Sequence, residues 1–189
     1  MNSTEPSDPT ALLSNCMAGD ERAIETLVRQ YEAGVFRLAL SVLNDPMDAG
    51  EIAQETFITA LKSLRSYRER SSFKAWLYTI ALNLSRSRLR KRRRLERLRN
   101  TLAAAFHLES QRLPQPEELV IQNEKERMIW QVVSSMDDKH RIPLVLRYFL
   151  DLPIAEIAAM LATHEGTIHS RLHTARERLR IELKKFAGE

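Results

Sequence analysis

Thr167, His169, Ser170, His173 and Thr174 alternate with an apolar series, Ile168, Leu172, Ala175, Leu179, Leu183 and Phe186, that falls at helical steps. Arg171, Arg176 and Arg178 flank the polar set. Hydroxyls and imidazoles can hydrogen-bond base edges, and guanidinium groups can hold phosphates, so this helix face suits a nucleic-acid groove. His169 and His173 stand at i and i+4 with His164 nearby, a spacing that could also hold a metal. No cysteine or carboxylate shares that face, and the single Cys16 rules out a Cys-rich zinc site or an internal disulfide. A second concentration lies between Arg86 and Arg99, where nine bases stand against one acid, Glu96. That local +8 sits in a chain whose total is +4, leaving the rest net −4. Such a field attracts a polyanion through counterion release. No phosphate-cradling GxxxxGK, GxSxG or HExxH occurs, so nothing supports catalysis, and no cofactor or metal is predicted.

The elements that must carry these groups read as helices throughout. Ile154, Ile157, Ala158 and Leu161 predict a short helix beginning near Pro153, and Ala162-Thr163-His164 a turn before the long helix already described. A short helix, a three-residue turn and a longer helix have the proportions of a helix-turn-helix, whose second helix enters the major groove by its N-terminal half. Upstream, Asp20 is a candidate N-cap for a helix reaching about Leu43. Asp45 and Pro46 open a second, which buries Ile52, Ala53, Thr56, Phe57, Ala60, Leu61 and Leu64. Phe73, Trp76, Leu77, Ile80, Ala81 and Leu84 then give the strongest stripe in the chain. Its phase continues through Ser87, Arg88 and Lys91, so the third helix should carry its basic half beyond the bundle.

Residues 1–19 are polar and read as a disordered tail, residues 20–99 as a first helical domain, 100–115 as a linker ending in Leu113-Pro114-Gln115-Pro116, and 116–187 as a second domain. The linker holds apolar Leu102, Phe106, Leu108 and Leu113. Pro116 with Glu117 and Glu118 should open the second domain's first helix. Asp137-Asp138 ends that helix and caps the next, which tolerates Pro143 only in its first turn. With 189 residues, 43% hydrophobic, five glycines and no strand pattern, the chain predicts an all-α protein of two small domains. No run of 18 apolar residues and no basic-then-apolar start are present, which predicts a cytoplasmic protein with no membrane insertion.

Two stretches go beyond generic pattern. DAGEIAQETF (residues 48–57) and SSFKAWLYTIALN (71–83) resemble the DAEDLVQETF and SSFRTWLYRIARN of region 2 in bacterial sigma factors of the extracytoplasmic-function (ECF) class. EIA (156–158) and EGTIHSRLHTARERL (165–179) resemble region 4 of that class, usually EIA followed by GTVKSRLHRARERL. The resemblance implies a non-enzymatic subunit that directs core RNA polymerase to promoter DNA and helps melt it. It assigns Asp48, Glu51, Gln54, Glu55 and Phe57 to the clamp of the largest polymerase subunit, and implies the flap of the second-largest subunit as a further contact of the chain. It assigns Tyr67, Arg68, Ser71, Ser72 and Asn83 to a flipped base of the minus-ten element, and Arg86, Arg88, Arg90, Lys91 and Arg92 to phosphates of the upstream duplex. Thr167, His169, Ser170, Arg171, His173, Thr174 and Arg176 would read the minus-thirty-five element. An anti-sigma factor is an implied further partner.

His169 stands where the family commonly has Lys or Arg and Thr174 where an Arg is frequent, so two phosphate or base contacts are expected to be weaker or of another type. Ala162 replaces a frequent turn glycine, which implies either no positive φ or strain there. Gly50 sits inside the second helix where an acid is usual, costing up to about 1 kcal/mol. Two other readings fit parts of the chain: a stand-alone helix-turn-helix regulator whose first bundle dimerises, and a helical adaptor that binds an acidic protein through the basic arm.

Overall fold

The first helix after Asp20 forms as its sequence dictates. The Asp20 carboxylate accepts the Arg22 N–H at 2.9 Å and the Ala23 N–H at 3.4 Å, supplying partners for donors that a helix start leaves unpaired. The computed structural model describes residues 9–68, 71–106 and 124–187. Among them every element is helical, and there is no strand. In order these are α1 (Pro9–Ala18), α2 (Glu21–Leu43), α3 (Pro46–Ser63), α4 (Phe73–Phe106), α5 (Glu124–Ser135), α6 (Asp138–Leu144, continued by a wider turn through Val145–Phe149), α7 (Ile154–Met160) and α8 (Glu165–Ala187).

Helices α2, α3 and α4 pack on one another as the first bundle. Leu27, Leu38, Leu43, Ile52, Leu77 and Leu82 are each almost wholly buried there. Burying a leucine side chain contributes roughly 1.5–3 kcal/mol, so this apolar cluster is what holds the three helices together. The α2–α3 corner closes on Asn44, whose backbone is left-handed at φ 51°, and on Asp45, whose carboxylate accepts the Asp48 N–H at 3.0 Å with Pro46 in the first turn.

Part of the expected tail is helix. Residues Pro9–Ala18 form α1, and Leu13 and Cys16 are buried against α2 and the single turn at Leu64–Ser66. Ten residues are too few to display a helical period, and a helix that short is stable only through its packing. Gly19, at φ 85°, ends α1 by letting Asp20 N–H reach back to the Asn15 carbonyl at 3.1 Å. The expected linker is also partly helix, because α4 runs to Phe106. Residues 107–123, with Leu108, Leu113 and the Pro116 start, lie outside the described residues.

The second bundle buries Val133, Leu144, Leu146, Leu152, Ile157 and Ile168. Pro143 is the sixth residue of α6, well past the first turn that the sequence favours. Beyond the proline the helix widens: Leu150 N–H bonds the Val145 carbonyl five residues back at 3.1 Å. The α7–α8 turn is built on Ala162 at φ 48°, with Thr163 N–H on the Ala158 carbonyl at 3.0 Å. The turn therefore keeps the left-handed geometry a glycine would favour and carries the strain of an alanine, about 1–2 kcal/mol.

Candidate nucleic-acid and polymerase interfaces

On α8, Ile168, Leu172 and Ala175 face the core, which forces the residues between them outward. His169, Ser170, His173 and Arg176 are exposed, whereas Thr167, Arg171 and Thr174 are half-buried at the edges of that face. The Thr174 hydroxyl donates to the Ser170 carbonyl at 3.2 Å. Arg171 and Arg176 make no ion pair among the described residues, so both guanidiniums are available to an external anion. Arg178 instead lies 3.5 Å from Asp137, at the start of α6. That carboxylate also takes a hydrogen bond from His140, which holds its pKa below the ordinary value. No group of three or more His, Cys, Asp or Glu side chains gathers to hold a metal among the described residues.

Glu51, Gln54 and Glu55 lie exposed on the outer face of α3, as expected, and Asp48 is half-buried. Phe57 is placed differently: it is buried in the bundle, so its side chain supports the face and does not present itself on it. The period already put Phe57 on the inward stripe, and the structure follows the period. Met47 and Ile58, at 81% and 54% exposure, flank these acids, giving the face an apolar component that the sequence reading omitted. Met47 directly follows Pro46, and Ile58 lies one residue past the inward Phe57; those outward positions were the available signal.

Tyr67, Phe73 and Trp76 form an aromatic nest at the start of α4, with centroids 5.2–5.7 Å apart, and Tyr31 of α2 stacks edge-on against Phe73 at 5.5 Å. The Tyr67 hydroxyl donates to the Ser71 carbonyl at 2.8 Å, which ties the loop to the nest. Arg68, Ser71, Ser72 and Asn83 are exposed. Eleven residues of helix place Asn83 on the same side of α4 as Ser72 but about 16 Å further along the axis. A strand that reached both would therefore extend over more than one nucleotide.

The core stripe of α4 continues past Leu84 through Ser85 and Leu89, both buried, so the basic half stays attached to the bundle for one further turn. Within that turn the arginines divide. Arg88 donates to Asp48 at 2.6 Å and to Glu51 at 2.8 Å, and these bonds raise its pKa. Arg92 donates to the Leu43 carbonyl at 3.1 Å and stands 3.5 Å from Asp48 and 3.9 Å from Asp45. Thus two arginines expected on DNA clasp the α2–α3 corner and the very acids expected on polymerase. Single-sequence spacing could not show it, because the pairs join positions 37 to 49 apart. Arg90 and Lys91 are exposed. Arg86 is half-buried, and its pKa is lowered by burial against the opposing pull of Asp138.

A helix-turn-helix with an open polar face, joined to a helical bundle bearing a basic extension, an aromatic nest and an acidic outer face, defines a two-domain helical protein suited to DNA binding. Comparison with known proteins makes this specific. The chain matches the family models Sigma-70 region 2 over residues 27–95 and Sigma-70, region 4 over residues 126–179. It is 33% identical over 171 residues to the ECF RNA polymerase sigma factor SigW of Bacillus subtilis, covering 88% of this chain and 91% of that one. It is 31% identical to the RNA polymerase sigma-H factor of Pseudomonas aeruginosa, covering 94% and 95%. Two solved structures share the fold: CnrH in complex with the cytosolic domain of CnrY (TM-score 0.63, 23% identity, 93% and 96% covered) and the sigma factor RpoE in complex with the anti-sigma factor NepR from Bartonella quintana (0.66, 22%, 85% and 96%). The chain belongs to the sigma-70 family, in the ECF class of RNA polymerase sigma factors, and acts in promoter-directed transcription initiation.

Proposed function

We propose that the chain divides promoter recognition between its two bundles. Residues 20–99 bind core polymerase through the α3 face of Glu51, Gln54 and Glu55, with Met47 and Ile58 alongside, and hold the minus-ten strand with the Tyr67–Ser72 loop and Asn83. Residues 116–187 read the minus-thirty-five duplex with the outer face of α8. Arg90 and Lys91 contact phosphate and so set register without reading sequence. Arg88 and Arg92 act as positioning residues that fix the arm to the α3 acids. Taking a base out of the stack costs a few kcal/mol, which stacking and hydrogen bonds to its exposed edge must return; an exposed amide such as Asn83 can supply the latter. The strand separates without ATP, and the chain carries no chemistry of its own. An anti-sigma factor is the natural antagonist, as in the solved complex of RpoE with NepR. No described helix is long and apolar enough to cross a membrane, and we place the protein in the cytoplasm with the polymerase.

The observation that carries this reading is the pairing in one chain of an open α8 face with the exposed Arg68, Ser71, Ser72 and Asn83 on the other bundle. A stand-alone regulator would leave the Phe73–Asn83 block and the acidic α3 face without a task. Purified chain mixed with core RNA polymerase and a promoter library provides the test. Transcription that needs both components supports the sigma reading, and tight, sequence-specific duplex binding by the chain alone would support the regulator instead.

A further inference from the structure

Two hydrogen bonds join the bundles at their functional ends. Glu156, in the first turn of α7, accepts the Ser72 N–H at 2.9 Å on one carboxylate oxygen and the Ser72 hydroxyl at 2.9 Å on the other. The Ser72 oxygen in turn accepts the Ala75 N–H at 3.1 Å, so the carboxylate lies over the positive end of α4. Around this contact α4 packs on α7, and α2 on α6 and its widened turn. Gly34 lies against Leu150, and Arg86 feels the Asp138 carboxylate. The joint is thus apolar at its centre and ionic at its rim.

This arrangement cannot serve both promoter elements at once. The reading half of α8, Glu165 to Arg176, spans about 18 Å, and its helix-turn-helix partner α7 touches the minus-ten loop directly. Elements centred near minus ten and minus thirty-five lie roughly 25 nucleotides apart, about 85 Å of duplex at ~3.4 Å per step. The bundles must separate before both are read, and separation requires Glu156 to leave Ser72. His169, Ser170, His173 and Arg176 are exposed in the closed chain, as are Arg68, Ser71 and Asn83, so closure leaves those side chains accessible and takes up the N–H and hydroxyl of Ser72.

We propose that Glu156 is an internal latch: its carboxylate occupies Ser72 and holds the closed chain, so that capture of the unpaired strand waits on opening of the two bundles. The proposal rests on the assignment of the Tyr67–Ser72 loop to the minus-ten strand. When the binding-competent form is a minor fraction, apparent affinity is reduced by that fraction, so loosening the latch raises affinity with no new contact.

The test uses the full chain with Cys16→Ala and spin labels at Met47→Cys and Ile181→Cys, both on exposed positions of opposite bundles. Electron–electron distance measurements should give one short, narrow population for this background. Adding Glu156→Ala should raise the open-to-closed ratio about fivefold, equivalent to ~1 kcal/mol at 1.4 kcal/mol per tenfold. Glu156→Gln, which keeps one acceptor, should fall between. In parallel, a fluorescein-labelled pool of randomised single-stranded 12-mers should bind Glu156→Ala about fivefold more tightly by anisotropy. A distance distribution already open in the background, or unmoved by Glu156→Ala, overturns the latch. A shifted distribution with unchanged oligonucleotide affinity keeps the latch and overturns the assignment of Ser72 to the strand. Circular dichroism melts of each variant separate these outcomes from loss of fold.

Discussion

Gly34→Ala tests the packing that joins the bundles, and its sign is set by a contest between two local effects. In a helix interior alanine is favoured over glycine by about 1 kcal/mol, so in open space the change would stabilise α2. At this position a Cβ would overlap the Tyr78 hydroxyl and would lie 3.1 Å from Tyr78 Cζ and 3.2 Å from Leu150 Cδ2. Tyr78 is 3% exposed, and burial pushes its phenol up to about 12, so the ring is enclosed and cannot swing into solvent. Overpacking of this kind costs roughly 1–3 kcal/mol, and the overlap with an enclosed hydroxyl puts the cost near the top of that range. The net loss should be about 1–2 kcal/mol, which lowers Tm by roughly 2–8 °C for a chain of this size. Thermal unfolding followed by circular dichroism measures it. The double variant with Tyr78→Phe removes the overlapping oxygen, and the cycle should show a favourable coupling of about 1 kcal/mol. A Tm equal to or above that of the parent chain, or no coupling with Tyr78→Phe, would refute the reasoning.

Asn83→Ala should slow promoter opening, read by permanganate reactivity of unpaired thymines, while leaving closed-complex affinity within about twofold; an equal loss in both would remove Asn83 from the strand site. Replacing Arg90 and Lys91 together with Ala should weaken binding to all promoters alike and reduce the salt slope of the holoenzyme by about 1.8, at ~0.9 per phosphate. Arg88→Ala should instead lower Tm and leave that slope unchanged, because its guanidinium is held by Asp48 and Glu51. Asp137→Asn should destabilise the second bundle at neutral pH and matter less in acid. The Asp137 carboxyl is held below its ordinary 3.8 by His140, so its contribution is present above that value and is lost as pH falls through the lowered one. Urea midpoints from pH 3 to 7 should therefore converge for the two proteins at the acid end.

Much of the fold was legible because its signals are local. Caps at Asp20 and Asp45, the proline at Pro46, the stripe from Phe73 to Ala81 and the inward series of α8 each lie within a turn or two of the residues they organise, and each helix formed where they indicate. The outward face of α8 follows from the same periodicity, since burying Ile168, Leu172 and Ala175 leaves His169, Ser170, His173 and Arg176 nowhere else to point. Helix α1 was missed because ten residues with two inward apolar groups, Leu13 and Cys16, carry no usable period and are held by packing alone. Ala162 was legible only as an alternative, strain or a turn without positive φ, and the φ of 48° decides for strain.

By itself, then, the amino-acid order determined the helices other than α1 and the end of α4, the helix-turn-helix face and the location of the basic arm, because apolar periodicity and capping act over neighbouring residues. Only the tertiary structure decided that Arg88 and Arg92 of that arm are held by the α2–α3 corner, and that Glu156 meets Ser72 across 84 positions of chain. Those are pairings between residues far apart in sequence, and electrostatic and packing complementarity at such separations is settled only when the helices have been brought together in space.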